Sequence, residues 1–223
     1  MDYQVLLSFL VMVICVVIAA PIFSSDYQTE ADAILRCTKH GRMKLATTKI
    51  VSALLISGII YTICIGTYII VSNSLFGWEC TETSVQMLYS VISLVNINLG
   101  MLQIWVAVAG LISVLATVAL TLFLSARFKN VVVSLAMSLM VCILPIVIYI
   151  ALPTQIATWI NAFTPSSGVG LMTSILYSLI DFIFLNVGNV SVWLSYVMIG
   201  AGIVEILVFI LGTVRNYIVY SKR

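Results

Sequence analysis

Charge is what this sequence has least of. Only 8% of its 223 residues are Asp, Glu, Lys or Arg, while 62% are hydrophobic. A soluble domain carries about 25% charged residues. So much apolar surface cannot be buried in a water-facing fold, so the solvent has to be lipid. Histidine is nearly absent. The single one, His40, excludes an HExxH motif or a paired-histidine metal centre, and with them an intramembrane metalloprotease. A Ser/His pair would have to use His40, in a basic loop far from any external serine. There is no GxxxxGK[ST], so the chain does not itself bind ATP in the P-loop manner. No nucleic-acid-binding motif occurs. The five cysteines (Cys15, Cys37, Cys64, Cys80, Cys142) are scattered, without a CxxC; neither a metal, a redox pair nor a disulfide is expected. The N-terminus has no basic n-region, Asp2 being its one early charge, and no A-x-A-like site, so it does not read as a cleaved signal peptide.

Backbone groups in lipid must be satisfied within the segment, which leaves helices or closed barrels. The apolar runs here are about 20 residues long and do not alternate, the length of helices crossing a bilayer. The expected fold is therefore all-α and polytopic, a single transmembrane domain over 1–223. Its five spans lie near 5–23, 51–72, 104–126, 131–152 and 192–214. Orientation follows from lysine and arginine near the span ends. With five spans, all ten basic residues fall on one side, read as cytoplasmic. The N-terminus is then outside and the C-terminus inside. The segments 73–103 and 153–191 carry no Lys or Arg and are expected outside. A sixth span at 171–187 would carry the basic tail across. That run is short and contains Asp181, and it reads instead as an external re-entrant or interfacial helix. The stretch 84–100, with Tyr89, Ile92 and Val95 along one face, reads as a second interfacial element.

The one long polar interruption is 24–50, SSDYQTEADAILRCTKHGRMKLATTKI. It holds five of the ten Lys and Arg (Arg36, Lys39, Arg42, Lys44, Lys49), His40, and the acids Asp26, Glu30 and Asp32. Ser25 followed by Gln28 resembles a capping box, with Asp26 at the positive end of a helix to follow. Tyr27, Ala31, Ile34 and Leu35 then share one apolar face. Lys39 and His40 sit at the negative end, and Gly41 suits the residue after the helix. An interfacial helix on anionic lipid would explain the bases, at about 1 kcal/mol each. It would not explain the acids at the helix start. Acids, apolar face and bases together suit a protein socket.

The pattern PIFSSDY-x3-ADAILRCTKHGRMKLATTKI resembles the segment joining the second and third spans of type-2 ABC transporter permeases of bacteria. There an acid-aromatic pair precedes a leucine-containing coupling helix and a K-x-G-R-x-K-x-x-x-x-K run. The matching positions are Phe23, Asp26, Tyr27, Leu35, Gly41, Arg42, Lys44 and Lys49. Beyond this segment the resemblance is little more than topology: a basic turn at Arg127 and Lys129, a proline-containing external region, and a short basic tail. What it implies is a permease subunit of an ATP-driven exporter in the bacterial plasma membrane, with no cofactor on this chain. ATP and Mg would sit on a separate cytoplasmic ATPase. The ATPase-coupling set would be Asp26, Tyr27, Glu30, Ile34, Leu35, Arg36, Gly41 and Arg42. The other partners implied are a second permease copy or a homologous permease, and membrane lipid. Two departures stand against the pattern. The chain begins where the family's second span begins, so the first span is either absent or lost from this reading frame. The glycine often found after the acid-aromatic pair is replaced near Glu30.

Glu205, near the middle of the fifth span, is a candidate for the path or for an interface, since an ionisable group there costs about 3 kcal/mol. A structural hydrogen bond to a neighbouring Ser or Thr is the plainer account. Pro145 is expected to kink span four, and Pro21 to loosen the end of span one. Asp181 reads as a solvated or interfacial acid. Gly58, Gly66, Gly200 and Gly202 are candidates for close helix contact. The rival from another class is a non-transporting membrane scaffold or immunity protein that binds a peptide or partner through its external helices. A secondary transporter would need inverted repeats or broken helices carrying ion sites, and neither stands out.

Overall fold

The computed structural model describes residues 2–29, 43–88, 97–181, 183–187 and 190–220. Residues 30–42, with Glu30, Ile34, Leu35, Arg36, Gly41 and Arg42 and so most of the coupling helix expected from Tyr27 to Lys39, lie outside the described residues, as does the face formed by Tyr89, Ile92 and Val95.

In chain order the elements are α1 (Asp2–Ala19), α2 (Pro21–Gln28), α3 (Met43–Phe76), a 3-10 turn at Trp78–Glu82, α4 (Val85–Leu88), α5 (Leu99–Arg127), α6 (Val131–Ala151) and α7 (Thr154–Ala162). A 3-10 turn at Ser167–Val169, α8 (Ile175–Ile180), β1 (Phe184–Val187), β2 (Val190–Trp193) and α9 (Leu194–Tyr220) complete the chain. Five helical stretches are long and apolar enough to cross a membrane: Asp2–Gln28, Met43–Phe76, Leu99–Arg127, Val131–Ala151 and Leu194–Tyr217. They match the five runs read from hydropathy. The boundaries differ most for α3, which begins at Met43 rather than near 51. At about 1.5 Å per residue its 34 residues extend roughly 50 Å, well past a hydrocarbon core of about 30 Å. Lys44 and Lys49 therefore stand on a helix, not in a loop. No glycine or proline interrupts Met43–Ser57, and nothing local stops the helix from starting early.

The helix α5 is the axis of the bundle. It packs against α1, α2, α3, α6 and α9. Much of its buried side is small, with Ala109, Gly110, Ser113, Ala116, Thr117, Ala119, Thr121, Ser125 and Ala126 set among Leu102, Gln103, Val106, Val114, Val118 and Leu122. Small residues let helix backbones approach where apolar burial gives no advantage over lipid. A side-chain carbon added at Gly202 would meet Ile112 at 2.9 Å, and one at Gly212 would meet the Phe123 ring at 2.9 Å. Of the glycines expected at close contacts, Gly202 is one, whereas Gly66 and Gly200 face open space and Gly58 sits at ordinary contact distance. Gly110, Gly168 and Gly212 fill the role instead.

The described basic residues Lys44, Lys49, Arg127, Lys129 and Arg215 lie at one end of the bundle, where α2 ends, α3 begins, α5 ends and α6 begins. At the opposite end three amides meet in the interior. Gln4 Nε2 donates to the Gln103 carbonyl at 3.2 Å, and the Asn73 and Gln103 side chains exchange bonds of 3.2 and 3.3 Å.

The segment 171–187 does not form a further span. It yields the six-residue α8 and the four-residue β1, which pairs antiparallel with β2 from Phe184↔Trp193 to Val187↔Val190. This hairpin corrects the all-helical expectation. Phe184–Val187 and Val190–Trp193 are rich in β-formers, and the residues between them in sequence are Gly188 and Asn189, a two-residue hairpin signal. Asp181 closes α8, its N–H donating to the Tyr177 carbonyl at 2.8 Å and its side chain exposed. Tyr177 donates to the Asp2 carboxylate at 3.4 Å. Burial first, and the Asp2 charge second, push the Tyr177 phenol pKa up, which keeps the donor proton in place.

Candidate functional site

The site is built at the basic end, around a break in the first span. Pro21 has no N–H to continue the ladder of α1 and its ring crowds the preceding turn. The helix pauses at Ala20, and α2 restarts at Pro21. A restarted helix brings a first turn of N–H groups that need acceptors. Within a membrane bundle water is not at hand to supply them. Ser125 of α5 does so, its Oγ accepting from Phe23 N and Ser24 N at 3.1 Å each. The same hydroxyl donates to the Ala20 carbonyl at 2.6 Å. One donor and two acceptor sites are all a serine hydroxyl has, and Ser125 uses all of them. The Ala20 carbonyl also accepts from Ser24 Oγ at 2.9 Å and from Ser134 Oγ of α6 at 3.2 Å. Ser24, Ser125 and Ser134 are fully buried. The break is thus joined to α5 and α6 through hydroxyls.

One turn further on, the acid-aromatic pair is in place. Asp26 lies in the last turn of α2, so the capping-box reading at Ser25 does not hold: Ser25 is inside a helix that is ending, not starting one. A carboxylate at the negative end of a helix is unfavourable. It is offset by Lys49 of α3, whose Nζ pairs with the Asp26 carboxylate, donates to the Ile22 carbonyl at 3.1 Å and lies 5.6 Å from the centre of the Phe23 ring. Both charged groups are mostly shielded, with 24% of the lysine and 16% of the aspartate side chain exposed. Tyr27 donates its hydroxyl to the Ala126 carbonyl at 3.3 Å. Gln28 donates to Asn130 Oδ1 at 3.3 Å, and the same oxygen caps α6 by accepting from Val132 N at 2.9 Å. The Phe23 ring tilts against Tyr217 of α9 at 5.5 Å between centres.

Phe23, Asp26, Tyr27 and Lys49 are therefore brought together. The partners Ser125, Ser134, Ala126 and Asn130 were not found in the sequence. The serines are inconspicuous among small residues, and a backbone carbonyl has no sequence signature. Glu205 lies elsewhere, half-buried at mid-length on α9, with no hydrogen bond or ion pair among the described residues. Exposed Ile203, Val204, Leu207 and Val208 flank it. Pro145 is buried within α6, and the helix runs on through it.

No group of His, Cys, Asp and Glu among the described residues is arranged to hold a metal ion. The junction joins α2 to α3 through Asp26 and Lys49, and to α5 through Ser125 and the Ala126 carbonyl. Comparison with models of known families, with curated proteins and with solved structures returns no match.

Proposed function

We propose that this chain is the membrane-spanning permease subunit of an ATP-driven exporter, coupled through 24–50 to a separate ATPase. The observation that carries the reading is the Asp26–Lys49 pair, which closes the segment on which the family resemblance rests. Asp26 stands just before 30–42 and Lys49 just after it. A lever works only if its ends are anchored to what it moves, and these two residues anchor them to the first two spans. The basic end then faces the cytoplasm of a bacterial cell, in keeping with the excess of Lys and Arg there. The ATPase docks on the stretch containing Ile34, Leu35 and Arg36, and closure of the ATPase pair rocks α2 and α3 against α5. Glu205 faces a second permease copy or the path, where a polar partner offsets the cost of a carboxyl at mid-span, about 3 kcal/mol.

The test is to replace Leu35 and Glu30 with Arg in the assembled complex. The reading expects loss of transport-coupled ATPase activity while the chain remains in the membrane. Normal coupled activity in that variant would overturn the assignment of the loop.

A further inference from the structure

The end of the bundle opposite the basic junction carries a cleft of about 560 Å³ between α7 and β1. Its walls are Thr154, Gln155, Thr158 and Trp159 on one side and Phe184 and Asn186 on the other, with isoleucine and leucine between. Thr158 and Ile183 also line a smaller chamber of about 50 Å³ behind it, which Asn161, Ser174 and Ser178 furnish with polar groups. One polar atom beside the chamber is left without a partner. Asn161 is 4% exposed, and its Nδ2 donates to the Pro145 carbonyl at 3.3 Å, but its Oδ1 has no hydrogen-bond partner. A buried amide oxygen calls for a donor.

Chemistry narrows the ligand. Among the described residues, no acid and no base lines the cleft. A phosphate would lack an Arg or Lys, and an ammonium would lack a carboxylate. What is offered is amide, hydroxyl and an indole face. Asn186 is oriented by Ser191, which donates to its Oδ1 at 2.7 Å and leaves the NH₂ as the available donor. Polar and apolar groups share this lining about equally, in a volume within the roughly 300–1,000 Å³ of small-ligand sites. Exposed Ile156 and Trp159 line the cleft, and with exposed Ile160 and Phe163 they give this stretch the composition of a helix lying at a lipid-water boundary.

We propose that the α7–β1 cleft, with the Asn161 chamber behind it, binds an uncharged, hydroxyl-rich ring: a sugar, free or as the headgroup of a glycolipid. The ring lies on Trp159, and its hydroxyls pair with Gln155 and Asn186. The site does not depend on the coupling reading, since it uses none of the residues of the basic end.

The experiment uses the full chain in phosphatidylcholine nanodiscs, free of sugar detergent. Tryptophan emission is followed while the discs contain increasing diglucosyl diacylglycerol, while methyl glucoside is added to the buffer, or while the discs contain phosphatidylglycerol. A Trp159→Phe chain identifies the contribution of that ring. The expected result is a saturable change with a glucosyl probe, absent in Trp159→Phe and from phosphatidylglycerol. Gln155→Ala with Asn186→Ala should weaken the apparent Kd at least tenfold with an unchanged thermal midpoint. Saturation by the glycolipid alone assigns a lipid headgroup, and saturation by methyl glucoside as well assigns the ring itself. No saturable change with either sugar probe, or an equal change with phosphatidylglycerol, overturns the proposal.

Discussion

The hydroxyl of Ser166 donates a 2.8 Å hydrogen bond to the carbonyl oxygen of Val141. That carbonyl is the one to which residue 145 would donate if it had an N–H, and residue 145 is proline. The loop after α7 therefore repairs the helix that its own neighbour Asn161 also touches, through the Pro145 carbonyl. Ser166→Ala leaves the Val141 oxygen unpaired and should cost about 1–3 kcal/mol. In a Pro145→Ala background the new N–H takes over, and the cost of Ser166→Ala should fall by more than half. A double-mutant cycle on thermal or denaturant unfolding measures this; equal costs in the two backgrounds would contradict it.

Ser125 holds the break in the first span with three bonds at once. Ser125→Ala strips acceptors from two buried N–H groups, and about 2 kcal/mol or more of stability should be lost. The more specific sign is local. Amide exchange at Phe23 and Ser24 should accelerate well beyond that of α1 residues such as Val11. Acceleration spread evenly over the first span would show that Ser125 merely packs.

Lys49 serves Asp26, the Ile22 carbonyl and the face of Phe23 together. Lys49→Met removes all of these and leaves the carboxylate at a helix C-terminus. The pair is neither fully buried nor freely exposed, so a loss of about 2 kcal/mol is expected, between the usual surface and interior values. The charge swap Asp26→Lys with Lys49→Asp should recover only part of the loss, because an aspartate cannot donate to Ile22. Full recovery in unfolding measurements would mean that charge alone matters.

The sequence made the helices legible and the site only half so. Five spans and the one-sidedness of the basic residues follow from the run of hydropathy and charge along the chain, which needs no knowledge of packing. Asp26 and Tyr27 stood out as an acid-aromatic pair following Phe23 and Ser24 where an apolar run gives way to a polar stretch. Their partners did not. Ser125 and Ser134 lie 101 and 110 residues beyond Ser24 in sequence, and only the packing of small faces brings them to Ala20. The direction of the helix around Ser25 was misread for a related reason. A serine with a glutamine three residues on looks the same whether a helix is beginning or ending, and Pro21, four residues earlier, is what decides it.

Close approach separates the glycines in a way that mutation can check. A methyl at Gly110 would run into the Tyr61 hydroxyl and press on Val169. Tyr61 would have to swing away from Ser8, its hydrogen-bond partner at 3.3 Å. Gly110→Ala should cost about 1–3 kcal/mol through overpacking. Gly66→Ala has open space around it, and its stability should be unchanged or raised by about 0.5–1 kcal/mol through helix propensity. Similar melting temperatures for the two variants would contradict the packing described for α3 and α5.

The central claim is that 24–50 couples this chain to an ATPase, and co-purification tests it most directly. The chain is tagged after Arg223, extracted gently from its native membrane, and everything that accompanies it is identified. The account predicts a stoichiometric P-loop ATPase that is lost when Leu35 and Glu30 are replaced with Arg and retained in Lys49→Met, which alters the lever but not the docking face. Absence of any ATPase from a folded, membrane-extracted chain would contradict the account.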